Sequence, residues 1–132
     1  MREIKFRFWT PDKRMLDDHD GWIEDTGINY ALVCSKDYGY IAMQFTGIKD
    51  EKGKDIYEGD ILQARYAPNY KLNAFEVKWN VGSASFVCYR KHENPKVQFE
   101  QLPLCPSNSM ENLEVIGNVY EHPELMSGRH EA

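Results

Sequence analysis

The sequence predicts an all-β domain with at most a minor helix. Three observations point there. Apolar and polar residues alternate with period two in several short runs. Glycine, proline and asparagine stand between those runs, where turns need them. No long stretch carries the 3.6-residue period of an amphipathic helix. About seven or eight short strands punctuated in this way suit an antiparallel barrel or a sandwich. The chain of 132 residues has no internal repeat and no low-complexity tract, which suits one domain. That domain is expected over residues 1–126, with 127–132 a flexible C-terminal tail.

The first strand is expected from Glu3 to Trp9. Ile4, Phe6 and Phe8 share one face, while Lys5, Arg7 and Trp9 share the other, which is read as the wet side. Pro11-Asp12-Lys13 turns the chain. Residues 14–29 are irregular and acidic around Trp22 and Ile23, so they predict a loop with at most a short strand near Trp22. Tyr30 to Val33 reads as another short strand, and Ser35 to Gly39 as the turn back.

Ile41 to Thr46 alternates as a half-buried strand. Lys49 to Lys54 is a polar hairpin tip, with Asp50 and Gly53 placed for a tight turn. Ile56 and Tyr57 resume apolar contact before Glu58-Gly59-Asp60 breaks the chain again. The strand from Asp60 to Tyr66 puts Ile61 on one face and Leu62 on the other, so both faces are expected to be covered.

Residues 67–73 form a loop by composition. Phe75, Val77 and Trp79 point inward and Glu76 and Lys78 outward. Asn80 to Ser83 turns the chain, and Ala84 to Arg90 returns as the second arm of a hairpin. Val97 and Phe99 mark a shorter strand. Leu102 to Ser109, with Pro103 and Pro106, reads as an exposed connection. Leu113 to Tyr120 is the last strand, with a bulge or close backbone approach at Gly117. Pro123 to Met126 makes one helical turn. The expected core is Ile4, Phe6, Phe8, Met43, Phe45, Ile56, Ile61, Phe75, Val77, Trp79, Phe86, Val115 and Val119.

Composition narrows the function classes. The net charge of −5 gives no general attraction to nucleic acid. No apolar run approaches the roughly 20 residues of a membrane span, so no membrane role is expected. The N-terminus carries charges inside any apolar stretch and does not read as a signal peptide. Cys34, Cys88 and Cys105 are odd in number and widely spaced, as reduced thiols in a cytoplasm would be. Cys34 and Cys88 sit in apolar runs and are expected to be buried, with Cys105 the more exposed.

No zinc-type spacing occurs, and no cofactor or catalytic residue is expected. The acidic run Asp17-Asp18-His19-Asp20 offers oxygen ligands for a cation, but without the spaced pattern of a calcium loop it reads first as a solvated loop. The four histidines fall in loops or the tail, and no nucleophile elbow is present. Gly47 to Gly53 lacks the ending of a phosphate loop, because Asp55 follows Lys54 where a hydroxyl would stand.

Two binding classes stay open. Small β barrels bind nucleic-acid strands by stacking bases on aromatics beside basic groups. Three groups could build such a surface: Lys5, Arg7 and Trp9; Tyr66, Tyr70 and Lys71; and Tyr89, Arg90 and Lys91. An ordinary polar strand face, with Lys and Arg stems over apolar surface, explains the same residues. The same exposed aromatics would also suit a protein partner or a second copy of the chain.

Three blocks also carry a family resemblance. They are Met1-Arg-Glu-Ile-Lys-Phe-Arg-Phe-Trp9, Met43-Gln-Phe-Thr-Gly47 through Ile56-Tyr-Glu-Gly-Asp-Ile61, and Glu114-Val-Ile-Gly-Asn-Val-Tyr-Glu-His-Pro-Glu-Leu125. In this order they resemble the YopX family of phage and prophage proteins. The resemblance implies a β pseudo-barrel with SH3-like character and a phage or prophage origin, and transfers no catalytic residue. The expected function is a non-enzymatic binding module in the cytoplasm of a bacterial host, its partner another protein or a homo-oligomer. The alternatives are a single-strand or duplex nucleic-acid binder and, more remotely, an enzyme with a loop-borne acidic site.

Overall fold

The structure, a computed structural model, describes residues 3–17, 21–65, 73–91, 99–104 and 111–126. Short strands dominate it. The first sheet is built from β1 (Phe6–Trp9), β2 (Met15–Leu16), β3 (Ile41–Lys49) and β4 (Asp55–Tyr57), in the order β2-β1-β3-β4. The second comprises β5 (Asp60–Arg65), β6 (Asn73–Asn80), β7 (Ser85–Lys91), β8 (Phe99–Pro103) and β9 (Glu111–Asn118), in the order β8-β7-β6-β5-β9. Every neighbouring pair is antiparallel. The all-β class with minor helix is therefore what forms, and two short antiparallel sheets are compatible with an SH3-like pseudo-barrel.

One tight connection passes the chain from the first sheet to the second. After β4, Glu58 and Gly59 turn it straight into β5. Gly59 sits at φ 83°, a left-handed conformation that side-chain-bearing residues adopt only with strain. Its N–H donates to the Val77 carbonyl and its own carbonyl accepts from the Val119 N–H, both at 2.9 Å. The turn is thus held by β6 on one side and by the end of β9 on the other.

The main core gathers Ile56, Leu62, Ala64, Phe75, Val77, Cys88, Leu104, Leu113 and Val115. Ile61 and Leu62 are both fully buried, as expected of a strand covered on both faces. The hairpin of β6 and β7 has the expected register, with Val77 opposite Cys88 and Trp79 opposite Phe86. Near Gly117 the β5–β9 ladder slips: Ile61 pairs with Gly117 but Leu62 with Val115, leaving Ile116 as a bulge. The close approach is there too. A Cβ on Gly117 would stand 2.7 Å from His122 Nδ1, on the chain leading into the 3₁₀ turn Pro123–Met126.

Several expectations fail for physical reasons. Trp22–Thr26 and Ile28–Asp37 are helices, α1 and α2, where a loop and a short strand were expected. They cover the outer face of the first sheet, and Ala31 packs there with Phe8 and Leu16. Only Ala31 and Cys34 of α2 are buried, so its inward stripe has no large apolar residue to reveal the period. Ile4 is 62% exposed because β1 starts only at Phe6. Trp79 is 47% exposed, since the β5–β6 ladder stops at Glu76 and its ring packs edge-on against Phe86 instead. β8 runs to Pro103, inside the stretch read as an exposed connection; an edge strand tolerates proline, and Leu104 beyond it is buried. The supposed wet face of β1 is not wet at Arg7, which is buried. The expectations for the 18–20 loop, for residues 66–72, for Val97, for Cys105 and for the tail lie outside the described residues.

Candidate functional site

The first charged group to consider is built by β1, β4 and the β4–β5 turn. Arg7 points from β1 toward the second sheet. Its Nη2 donates to Asp60 Oδ1 at 2.7 Å and to the Glu58 carbonyl at 3.3 Å, and its guanidinium lies 4.7 Å from the Tyr57 ring centroid. Asp60 Oδ2 accepts from the Tyr57 N–H at 2.8 Å. Burial raises the Asp60 carboxyl above its ordinary range, and the neighbouring Arg7 only partly opposes that. The arrangement is a buried ion pair that ties the two sheets.

Asp55 on β4 forms the second group. Lys5 Nζ lies 2.6 Å from Asp55 Oδ2, and Lys49 Nζ lies 2.5 Å from Oδ1. Burial would raise this carboxyl, but the two ammonium groups outweigh it and hold it below its ordinary value. Lys5 also stands 4.9 Å over the Phe45 ring. Beside these pairs opens a cleft of about 330 Å³, lined by Arg7, Asp17, Lys49, Gly53, Lys54, Asp55 and Tyr57. Among the described residues its lining holds neither thiol nor imidazole, and Arg7 and Lys49 already face carboxylates.

The hairpin tip beside the cleft is a structural knot. Asp50 Oδ1 accepts from the Lys52 and Lys54 N–H groups at 2.9 and 2.8 Å, and Oδ2 accepts from Val115 N–H at 2.9 Å. Burial pushes the Asp50 carboxyl up, and these three donors more than reverse it. The tip is therefore fastened to β9.

The residues singled out for a partner surface do not all meet. Lys5, Arg7 and Trp9 belong to β1 or its approach in the first sheet, and Trp9 stacks on Tyr120 at 5.8 Å between centroids. Tyr89 and Arg90 belong to β7 in the second sheet, both half-buried, and Lys78 Nζ sits 4.2 Å over the Tyr89 ring. Lys91 ends β7, while Tyr66, Tyr70 and Lys71 lie outside the described residues. Nor do the described residues offer three His, Cys, Asp or Glu side chains grouped to hold a metal ion. Of the acidic run that reads first as a solvated loop and only second as a cation site, Asp17 alone is described. Burial pushes the Cys88 thiol up to about 12, which leaves it in the unreactive protonated form.

Sequence reasoning missed a run of exposed apolar side chains. Ile28, Tyr30, Leu32, Val33 and Tyr38, on α2 and its C-terminal cap, are each 40–60% exposed. Two adjacent ridges form the outer face: Ile28-Leu32-Lys36 and Asn29-Val33-Asp37. Glycines at 27 and 39 bracket this run, and Ile28 with Leu32 has helical spacing; that was the available signal. Among the described residues no helix is long and apolar enough to cross a membrane.

Comparison with known proteins adds fold and kinship. A family model described as "YopX protein" matches residues 5–127. Among solved structures, the crystal structure of protein EF1440 from Enterococcus faecalis is similar. It is 24% identical, the match covers 96% of this chain and 99% of that one, and the TM-score is 0.59. At that identity the likeness is one of fold. No curated protein gives a significant match.

Proposed function

The chain belongs to the YopX family, and we propose that it is a non-enzymatic binding module whose docking surface is the outer face of α2. One observation carries this reading: large aliphatic and aromatic side chains stand open to water on a helix whose inner face is anchored only by Ala31 and Cys34. Burying apolar area is worth roughly 25 cal/mol per Å², and contiguous exposed patches of this kind mark interaction sites. The working location is the cytoplasm of a bacterial host carrying the phage or prophage. A nucleic-acid surface has less support, because Lys5 and Arg7 are each engaged with a carboxylate.

The test is a tagged full chain expressed in bacteria beside the double variant Leu32→Glu/Val33→Glu. Both positions are exposed, so the melting temperature should stay within a few degrees. Partners that co-purify with the native chain, a second copy included, should be lost from the variant. An unchanged set of co-purifying partners would remove α2 as the docking surface.

A further inference from the structure

We propose that the cleft between β1, β4 and the β3–β4 tip binds a small molecule through its carboxylate, held by Arg7 and Lys54. The site is separate from the outer face of α2, and neither reading depends on the other. At about 330 Å³ the cleft is at the small end of the roughly 300–1,000 Å³ that ligand pockets span. Two of its side chains keep hydrogen-bond donors that the chain does not use. Arg7 is 8% exposed, and among the described residues it donates through Nη2 alone; its enclosed Nε has no partner. A guanidinium carries five N–H donors, and a buried donor without a partner is costly. Asp60 therefore offsets the charge of Arg7 without using up its donors. Lys54 is exposed, and no ion pair among the described residues includes it. Its backbone is held in place all the same, since its N–H donates to Asp50 Oδ1.

The carboxylates around the cleft are in the opposite position. Asp55 lies between Lys5 and Lys49, and Asp60 accepts from Arg7 and from the Tyr57 N–H. Asp50, on the same tip as Lys54, accepts from three backbone N–H groups. Asp17 has a partner too. A cation entering the cleft finds its acceptors already taken, whereas an oxyanion finds donors in want of an acceptor. The kind of oxyanion follows from the charge. The described lining carries Arg7, Lys49 and Lys54 against Asp17 and Asp55. Behind it Glu3, Asp50 and Asp60 outnumber Lys5, so a doubly charged phosphate would meet net repulsion. A carboxylate brings a single charge and a planar pair of oxygens that matches the guanidinium fork.

Chemical-shift titration of the isotope-labelled full chain tests this, with benzoate as the probe, benzamide as its uncharged counterpart, and inorganic phosphate and chloride at equal ionic strength. Benzoate should move the Gly53, Lys54 and Asp55 amide signals and the Arg7 Nε–H signal along one saturating curve. Benzamide and chloride should leave them in place, and phosphate should bind more weakly than benzoate. Lys54→Gln should weaken benzoate binding roughly tenfold or more. Lys52→Gln, on the same tip but paired with Glu114, should not change it. Both positions are exposed, and circular dichroism checks that each variant is folded. Shifts that do not saturate, that follow benzamide equally, or that survive Lys54→Gln overturn the site. Phosphate binding more tightly than benzoate overturns the preference for a carboxylate. None of these outcomes bears on α2, which the co-purification experiment decides.

Discussion

Asp50, Gly59 and Arg7 each hold together parts of the chain that are distant in sequence. At Gly59 the backbone needs φ 83°, and a Cβ there would come within 3.0 Å of Met43 Sδ and 3.3 Å of the Tyr120 ring. Gly59→Val should therefore lower stability by about 1–3 kcal/mol, read from urea midpoints; an unchanged midpoint would mean the turn does not need this conformation. Arg7 and Asp60 present a different balance. Removing one member leaves the other charged, buried and alone, so Arg7→Met should cost about 3–5 kcal/mol. The double change Arg7→Met/Asp60→Asn should cost less than the two single changes added together, and simple additivity in the thermodynamic cycle would argue against direct coupling. Gly59 was readable beforehand from its place between two apolar runs. Arg7 was not, because alternation along one strand does not say whether the opposite face meets water or another sheet.

At the scale of elements, the β hairpins follow their residues closely. Phe75 and Val77 alternate with Glu76 and Lys78, and the register of β6 against β7 is the one that alternation demands. β9 is more constrained than its pattern suggests, since Gly117 lies under His122 and Leu125. Gly117→Ala would force the 3₁₀ turn away from β9 and should cost about 1–3 kcal/mol by overpacking; a crystal structure of the variant with the turn unmoved would refute this. The helices were hidden by their composition. Ile28, Tyr30 and Val33 are residues that strands favour, and propensity gave way to packing of Ala31 on the first sheet. The face thereby left exposed became the candidate docking surface, and so its recognition depended on knowing the helix.

For the whole molecule, pH dependence follows from which carboxylates lie below and above their ordinary values. Asp50 and Asp55 sit below 3.8 in the folded chain. Such groups stabilise the fold above the unfolded value, and the gain is lost as pH falls through the folded one. Asp60 is raised by burial, so its contribution has the opposite sign: it is present at low pH and lost as pH rises through the folded value. Burial raises Glu76 in the same way, while Asp12 lies below its ordinary value, so three carboxyls are lowered against two raised among the described residues, and the urea midpoint should fall as pH drops below about 4. In Asp50→Asn that fall should be shallower, and near neutral pH the variant should be weaker by about 1–3 kcal/mol, through the loss of a charged acceptor for three backbone amides. A midpoint that rises on acidification would contradict the assignment. The sequence by itself determined most of the strands, the turns at Gly59 and after Asn80, and the two-sided burial of Ile61 and Leu62, because period-two hydrophobicity and turn-forming residues act within a few residues of chain. Only the tertiary structure decided that Arg7 is buried against Asp60, that Trp79 stays half in water, and that residues 28–37 coil into a helix with an apolar outer face. Those outcomes depend on which surface a segment meets across space, and no run of neighbouring residues contains that contact.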